Sequence, residues 1–225
     1  MGDELKPLIV GVIDEPDLKS AQLAKKDGAD VLEARLDLWG LSLEDTRRFL
    51  LKLKRIGLEI IGTNRWELEG GRFKEDEEAR IEFLIHMLDI LDYVDIELEC
   101  GVRDDVIRKA KEQGVEVIVS CHNFELTPDE DELSMIVSRM KACGADIGKI
   151  ATMVNDLHDC LRLFELLLDS PMRLSVITMG ELGRHARVIA PIYGSALNYG
   201  FVREAVAPGQ MSVGEMKRLL NVMAV

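Results

Sequence analysis

What most constrains this chain is a rhythm. Short β-branched runs alternate with longer helical stretches eight times over, with no linker or low-complexity segment between them. Strands read over residues 7–13, 31–35, 58–63, 93–98, 115–120, 146–151, 174–178 and 196–199. Helical stretches read over 17–27, 43–56, 75–91, 104–113, 129–143, 156–168, a short one near 183–190, and 211–223. Local chemistry supports several boundaries. Ser42 is placed to cap the second helix with Asp45 at its third position, and 75–91 sets Ile81, Leu84, Ile85 and Leu88 on one stripe. The acidic runs 75–78 and 129–132 suit the positive ends of their helices. Eight strand-then-helix units in 225 residues come to roughly 28 residues each, near the lower size of an α/β, single-domain (β/α)8 TIM barrel spanning 1–225. A doubly wound open sheet competes. There the first strand would run into a Gly-rich turn, whereas here it meets Asp14-Glu15-Pro16, so the barrel is preferred.

The placement of polar residues agrees with that choice, because barrel chemistry collects at the C-terminal ends of the strands. Glu33 and Arg35 end the second strand, Arg65 follows the third, and Glu97 and Glu99 end the fourth. His122 ends the fifth, Lys149 sits in the sixth and Asn198 in the eighth. Residues two apart share a face of a strand. Ile61, Thr63 and Arg65 therefore align, as do Ile118, Ser120 and His122, and Ile147, Lys149 and Ala151. If those faces turn inward, arginines, a histidine, a lysine and carboxylates converge on one mouth.

Charge bounds what such a mouth serves. With 28 basic against 41 acidic side chains the net charge is −13, which argues against nucleic acid and anionic membranes as partners. No apolar run reaches the ~18 residues of a membrane span. The start, MGDELKPLIV, lacks the features of a secretory signal, and Cys100, Cys121, Cys143 and Cys160 form no CxxC pair. A reduced cytoplasmic protein is the expectation. Arg35, Arg65, Lys149 and Arg187 would form a local basic cluster inside this acidic shell, suited to a small carboxylate.

Lys149, flanked by Gly148, Ile150 and Ala151, is either paired with a carboxylate (Glu97 or Glu99) or held in a desolvated pocket as an amine nucleophile. His122 is either a general acid/base or a residue that caps a loop; the neighbouring lysine favours the first. His86, His158 and His185 fall in helical stretches and read as surface residues, and without an HxH or HExxH pair no metal site is expected. Glu67-Leu68-Glu69-Gly70-Gly71 after Arg65 reads as a turn with glycines at positive φ. Arg184 and Arg187 follow a Gly-containing loop where a guanidinium would fork onto a carboxylate or phosphate.

Six segments in order then carry a resemblance: Glu33-Ala34-Arg35-Leu36-Asp37; Thr63-Asn64-Arg65 with Glu69-Gly70-Gly71; Ser120-Cys121-His122-Asn123-Phe124; Lys149-Ile150-Ala151; Met179-Gly180 with Ala186-Arg187; and Ala207-Pro208-Gly209-Gln210. Any one is a weak string, but together, over 33–210, the chain resembles the type I 3-dehydroquinate dehydratase (3-dehydroquinase) family. The resemblance implies a syn loss of water from 3-dehydroquinate to give 3-dehydroshikimate, through an imine, in the shikimate pathway. It implies Lys149 as the Schiff-base nucleophile, His122 as acid and base, and Glu69 as the carboxylate that orients the histidine. Arg187 and Arg65 would hold the substrate carboxylate, Glu33 and Arg35 its hydroxyls, and Gln210 would reach in from a lid near 203–210. No cofactor and no metal are implied; a small-molecule substrate and a homodimer are. Val206 stands where many members carry a serine, and Ala186-Arg187 where they carry Ser-Arg. A class I aldolase of the same fold, or a silent small-molecule-binding barrel, are the alternatives.

Overall fold

The structure is a computed structural model that describes residues 6–205 and 209–223. Eight parallel strands wrap around a central axis: β1 (Leu8–Ile13), β2 (Val31–Arg35), β3 (Glu59–Thr63), β4 (Tyr93–Glu97), β5 (Glu116–Asn123), β6 (Ile147–Met153), β7 (Arg173–Met179) and β8 (Leu197–Phe201). Their hydrogen-bonded order is β7-β6-β5-β4-β3-β2-β1-β8. The remaining seam, β7 to β8, is closed by a backbone bond from the Ala196 N–H to the Leu174 carbonyl (2.9 Å) and by a serine side chain. Ser175 Oγ both donates to the Leu197 carbonyl (2.8 Å) and accepts from its N–H (2.7 Å). This is the expected (β/α)8 barrel.

Helices α1 (Leu18–Asp27), α2 (Leu36–Trp39), α3 (Leu43–Lys54), α4 (Glu77–Ile85), α5 (Arg103–Glu112), α6 (Glu130–Ala142), α7 (Leu157–Asp169), α8 (Ala186–Ile189) and α9 (Val213–Val222) follow the strands. Side-chain caps set several of their starts: Ser42 accepts from the Asp45 N–H, Asp76 from Ala79 and Asp129 from Glu132. The sequence reading overran one of them. The stripe over 75–91 suggests one long helix, but α4 stops at Ile85 and the chain continues in tight turns bonded Met87 to Leu84, Leu88 to Ile85, Ile90 to Met87 and Leu91 to Leu88. Met87, Leu88, Ile90 and Leu91 are all buried, more apolar contact than one helical stripe presents to the barrel. Helix α2 was not anticipated, and the short helix near 183–190 resolves into α8 followed by a 3-10 turn over Ala190–Tyr193.

The bottom rim repeats one device. Asp30, Asp92 and Asp146, just ahead of β2, β4 and β6, accept from the N–H of Ile9, Ile60 and Val117 on the preceding strands at 2.8–2.9 Å. Ser195 Oγ does the same for Val176. Each side chain satisfies a donor that no neighbouring strand reaches.

Alternation divides the apolar residues into two cores. Outward-facing side chains pack against the helices. Inside the barrel, Val10, Val31, Ile61, Tyr93, Ile118, Ile147 and Leu197 form a closed apolar layer. The inward faces deduced from Ile61, Ile118 and Ile147 are therefore the real ones.

Candidate active site

One pleat above that layer, the same strands point polar groups inward. Lys149 on β6 is 5% exposed; its Nζ donates to Asp95 Oδ2 at 2.9 Å and reaches Glu33 Oε1 at 3.4 Å. The ring of Tyr199 on β8 lies 4.2 Å from the same nitrogen, a cation–π contact. The lysine is thus both paired and inside a site, but its partners are not those expected. Glu97 turns to Arg65 (2.8 Å), Arg80 (2.9 Å) and the Trp66 N–H (2.9 Å), while Glu99 lies on the exposed face with Arg139.

Arg65 is fully engaged. Its guanidinium meets Asp95 (2.8 Å), Glu97 (2.8 Å) and Ser120 Oγ (2.6 Å). Burial disfavours its charge, yet Asp95 and Glu97 hold it above its ordinary value. Asp95 mirrors this: burial would raise it, but Arg65 and Lys149 keep it ionised far below the usual carboxylate range. An alternating chain of charges therefore runs from Lys149 through Asp95, Arg65 and Glu97 to Arg80 on α4.

His122 lies within β5, which extends three residues past the expected end because His122 and Asn123 pair with Ala151 and Thr152 of β6. Its Nδ1 is 2.7 Å from Glu69 Oε2, and its backbone N–H donates to the same oxygen at 3.1 Å. The Phe124 ring stacks on the imidazole, with centroids 6.3 Å apart. Burial, with Arg65 and Lys149 next in weight, pushes His122 well below its ordinary value, so the ring is neutral near pH 7. Burial, opposed in part by Arg65, pushes the Glu69 carboxyl up to about 7. Glu69 is presented by a single 3-10 turn, Glu67–Glu69. Gly70 follows at φ 83°, as the turn reading requires. Gly71 serves for another reason: a Cβ there would sit 1.7 Å from the Arg65 carbonyl oxygen.

Arg187 on α8 is the contrast. It is only 6% exposed, its Nε has no partner, and no carboxylate pairs with it among the described residues. Burial alone lowers it to about 10. Arg184, its neighbour in the sequence reading, is exposed. Arg35 is bound at both ends of its fork to Asp37 (3.0 and 2.9 Å), and Asp37 also accepts from the Arg72 N–H.

These pieces meet. Glu33, Arg35, Arg65, Glu69, His122, Lys149, Arg187 and Gln210 all line one cavity of about 250 Å³. A larger hollow, about 570 Å³, lies beside it on the other side of Arg35, walled by exposed residues such as Arg72 and Lys74. The smaller one holds the buried chemistry. The loop from β8 reaches it because Gly209, at φ 78°, lies where a Cβ would be 2.4 Å from the Gly180 carbonyl oxygen. Part of the lid expected near 203–210, namely Val206, Ala207 and Pro208, falls outside the described residues.

One expectation is overturned. The mouth is not a basic cluster: Arg35, Arg65 and Lys149 are each matched by Asp37, Glu33, Asp95 or Glu97, and of the four only Arg187 is left unmatched among the described residues. Asn198 does not point inward; its side chain bonds the carbonyls of Leu8 and Ser195. Asp95 and Tyr199 were missed. Applying the two-residue rule to β4 and β8 would have found both, since Tyr93, Asp95 and Glu97 share a face and Leu197 and Tyr199 share another. Among the described residues, no three His, Cys, Asp or Glu side chains are grouped to hold a metal ion.

Comparison with known proteins points one way. The sequence model of the type I 3-dehydroquinase family matches residues 9–225. A 3-dehydroquinate dehydratase from Methanococcoides burtonii is 40% identical over 224 residues, covering 98% of this chain and 96% of the relative. The crystal structure of 3-dehydroquinate dehydratase from Geobacillus kaustophilus superposes with a TM-score of 0.91 at 27% identity, covering 97% of this chain and 91% of that one. A type I 3-dehydroquinate dehydratase from Clostridium difficile, solved with covalently modified comenic acid, superposes at 0.90 and 27% identity, covering 98% and 93%.

Proposed function

The chain belongs to the type I 3-dehydroquinase family, and from that premise we propose that it removes water from 3-dehydroquinate through an imine on Lys149, as a hydro-lyase of the shikimate pathway. The observation that carries this reading is the joint occupancy of one 250 Å³ cavity by a buried lysine, a neutral histidine and a buried guanidinium that no carboxylate pairs among the described residues.

Arg187 anchors the substrate carboxylate. A desolvated cation with no counter-ion among the described residues gains most when an anion arrives, and its planar fork suits a carboxylate. Arg65 is already held by two carboxylates, so its part is to keep Asp95 ionised and to hold Asp95 and Glu97 in place. Glu33, bonded to Thr63 Oγ1 at 2.9 Å and close to Lys149, faces the substrate hydroxyls with Arg35, while Gln210 closes the cavity from above.

Lys149 adds to the ketone carbon, water leaves, and the resulting iminium draws electrons from the adjacent C–H. A hydrogen on Nδ1 in the contact with Glu69 leaves His122 Nε2 its lone pair, so the neutral ring takes that proton. The electrons move into an enamine, which expels the hydroxyl one carbon further on; the imidazolium returns its proton to the departing oxygen. Hydrolysis of the conjugated imine frees Lys149 and gives the enone. Asp95, ionised beside Nζ, balances the cation from ammonium to iminium.

Family membership favours this chemistry over the aldolase alternative, and four unpaired thiols fit a reducing, cytoplasmic setting. A homodimer is the proposed assembly, read directly by light scattering. The decisive test is borohydride reduction in the presence of 3-dehydroquinate. Peptide mass analysis should find the adduct on Lys149; an unmodified Lys149 after turnover refutes the imine.

A further inference from the structure

Tyr199 is a group that the dehydration scheme leaves unused. It points inward from β8, is 8% exposed, and lines the cavity with its ring 4.2 Å from Lys149 Nζ. Its hydroxyl is buried and has no hydrogen-bond partner among the described residues. The nearby carboxylates bond other donors, not the phenol. Glu33 accepts from Thr63 and Lys149, and Asp95 from Lys149, Arg65 and Ser120. Buried polar groups are almost always paired, so an orphan hydroxyl in a cavity wall marks a place where a ligand atom completes the bond. Burial, together with Glu33 and Asp95, holds the phenol well above its ordinary value, so the group is a donor at neutral pH.

Resting on the imine reading, we propose that Tyr199 is a further catalytic residue, whose hydroxyl donates a hydrogen bond to the ketone oxygen of the substrate as Lys149 adds to the carbonyl carbon. The geometry selects that oxygen. The ketone carbon must come within bonding distance of Nζ, and its oxygen is only ~1.2 Å further. It is therefore among the substrate atoms brought closest to a ring already packed on the lysine, and the one polar atom of the reacting group. It is also the atom that gains charge in this step, where a fixed donor in a low-dielectric wall acts most strongly.

The step balances without consuming the phenol. The amine lone pair forms the C–N bond and the carbonyl π pair moves onto oxygen. Of the three protons on the starting ammonium, two reach that oxygen, which departs as water, and one stays on the iminium. Tyr199 lends a hydrogen bond throughout and ends with its own proton.

Tyr199→Phe tests this by deleting one oxygen. If the hydroxyl is unpaired in the free protein, the variant melts at or above the wild-type temperature. Rapid-mixing borohydride capture with 3-dehydroquinate should show the Lys149 adduct forming ~10²-fold more slowly, the usual effect of removing one such donor. Adduct formation at the wild-type rate overturns the proposal, and so does a clear fall in melting temperature, which would mean the hydroxyl is already bonded. The failure of the underlying reading looks different: wild-type protein itself would then give no adduct on Lys149.

Discussion

Two adjacent layers inside the barrel use the same strands and the same pleat, yet have opposite chemistry. The lower one, with Ile61, Ile118 and Ile147, is dry and apolar. The upper one, two residues further along each strand, holds Thr63, Ser120 and Lys149, joined by Glu33 and Asp95. The backbone offers equivalent positions to both, so what separates a plug from a site is which side chain stands at each step of two. The lower layer contributes transfer free energy and dispersion. In the upper one, buried charges cost desolvation that only tight pairing offsets. That layer holds Asp95, and His122 one step above it, each below its ordinary value, so both resist protonation to lower pH than they would in water.

If the comparison holds, variants in the two layers fail in different ways. Ile61→Ala should lower stability by about 2–5 kcal/mol, read from denaturant midpoints, with kcat at low temperature near that of the parent. A large loss of kcat in a folded Ile61→Ala protein would show that the plug also shapes the site. His122→Ala should leave the fold intact and cut turnover by ~10²-fold or more, while borohydride still traps Lys149. Normal turnover would remove the histidine from the reaction. Arg187→Ala should mainly raise KM, by roughly 10- to 100-fold for one charge-assisted contact. Unchanged kinetics would place the substrate carboxylate elsewhere.

The smallest effect concerns pH. Glu69 holds its proton up to about 7 in the folded chain, against an ordinary value of 4.5. The stability this group contributes is complete below 4.5 and is lost as pH rises through about 7. Glu69→Gln has no such loss. Its melting temperature should gain on the wild type between pH 5 and pH 8, by the equivalent of about 1 kcal/mol or more. A gap that stays constant with pH would contradict the burial argument.

Much of this was legible from the chain alone because it depends on local rules. Capping residues placed helix starts, and alternation aimed Lys149 and His122 inward before any contact was known. Other features were not local. Helix α4 stopped short because Met87, Leu88, Ile90 and Leu91 all find apolar surroundings, which their own helical stripe does not report. Gly71 is needed for the approach of the Arg65 carbonyl six residues earlier, not for a positive φ. The counter-ions of Lys149 come from β2 and β4, 116 and 54 residues away in sequence, and nothing in the composition of Asp146–Ala151 identifies them.

The sequence by itself determined the eightfold repeat, the face of each strand and the kinds of side chain at the mouth, since these follow from periods of 2 and 3.6 residues. Only the tertiary structure decided which charges cancel. The distance between two groups, and the water excluded around them, are set by barrel closure, and Coulomb energy depends on both. That is why four basic residues read as a basic cluster in the sequence, while the folded site leaves a single cation, Arg187, without a partner among the described residues.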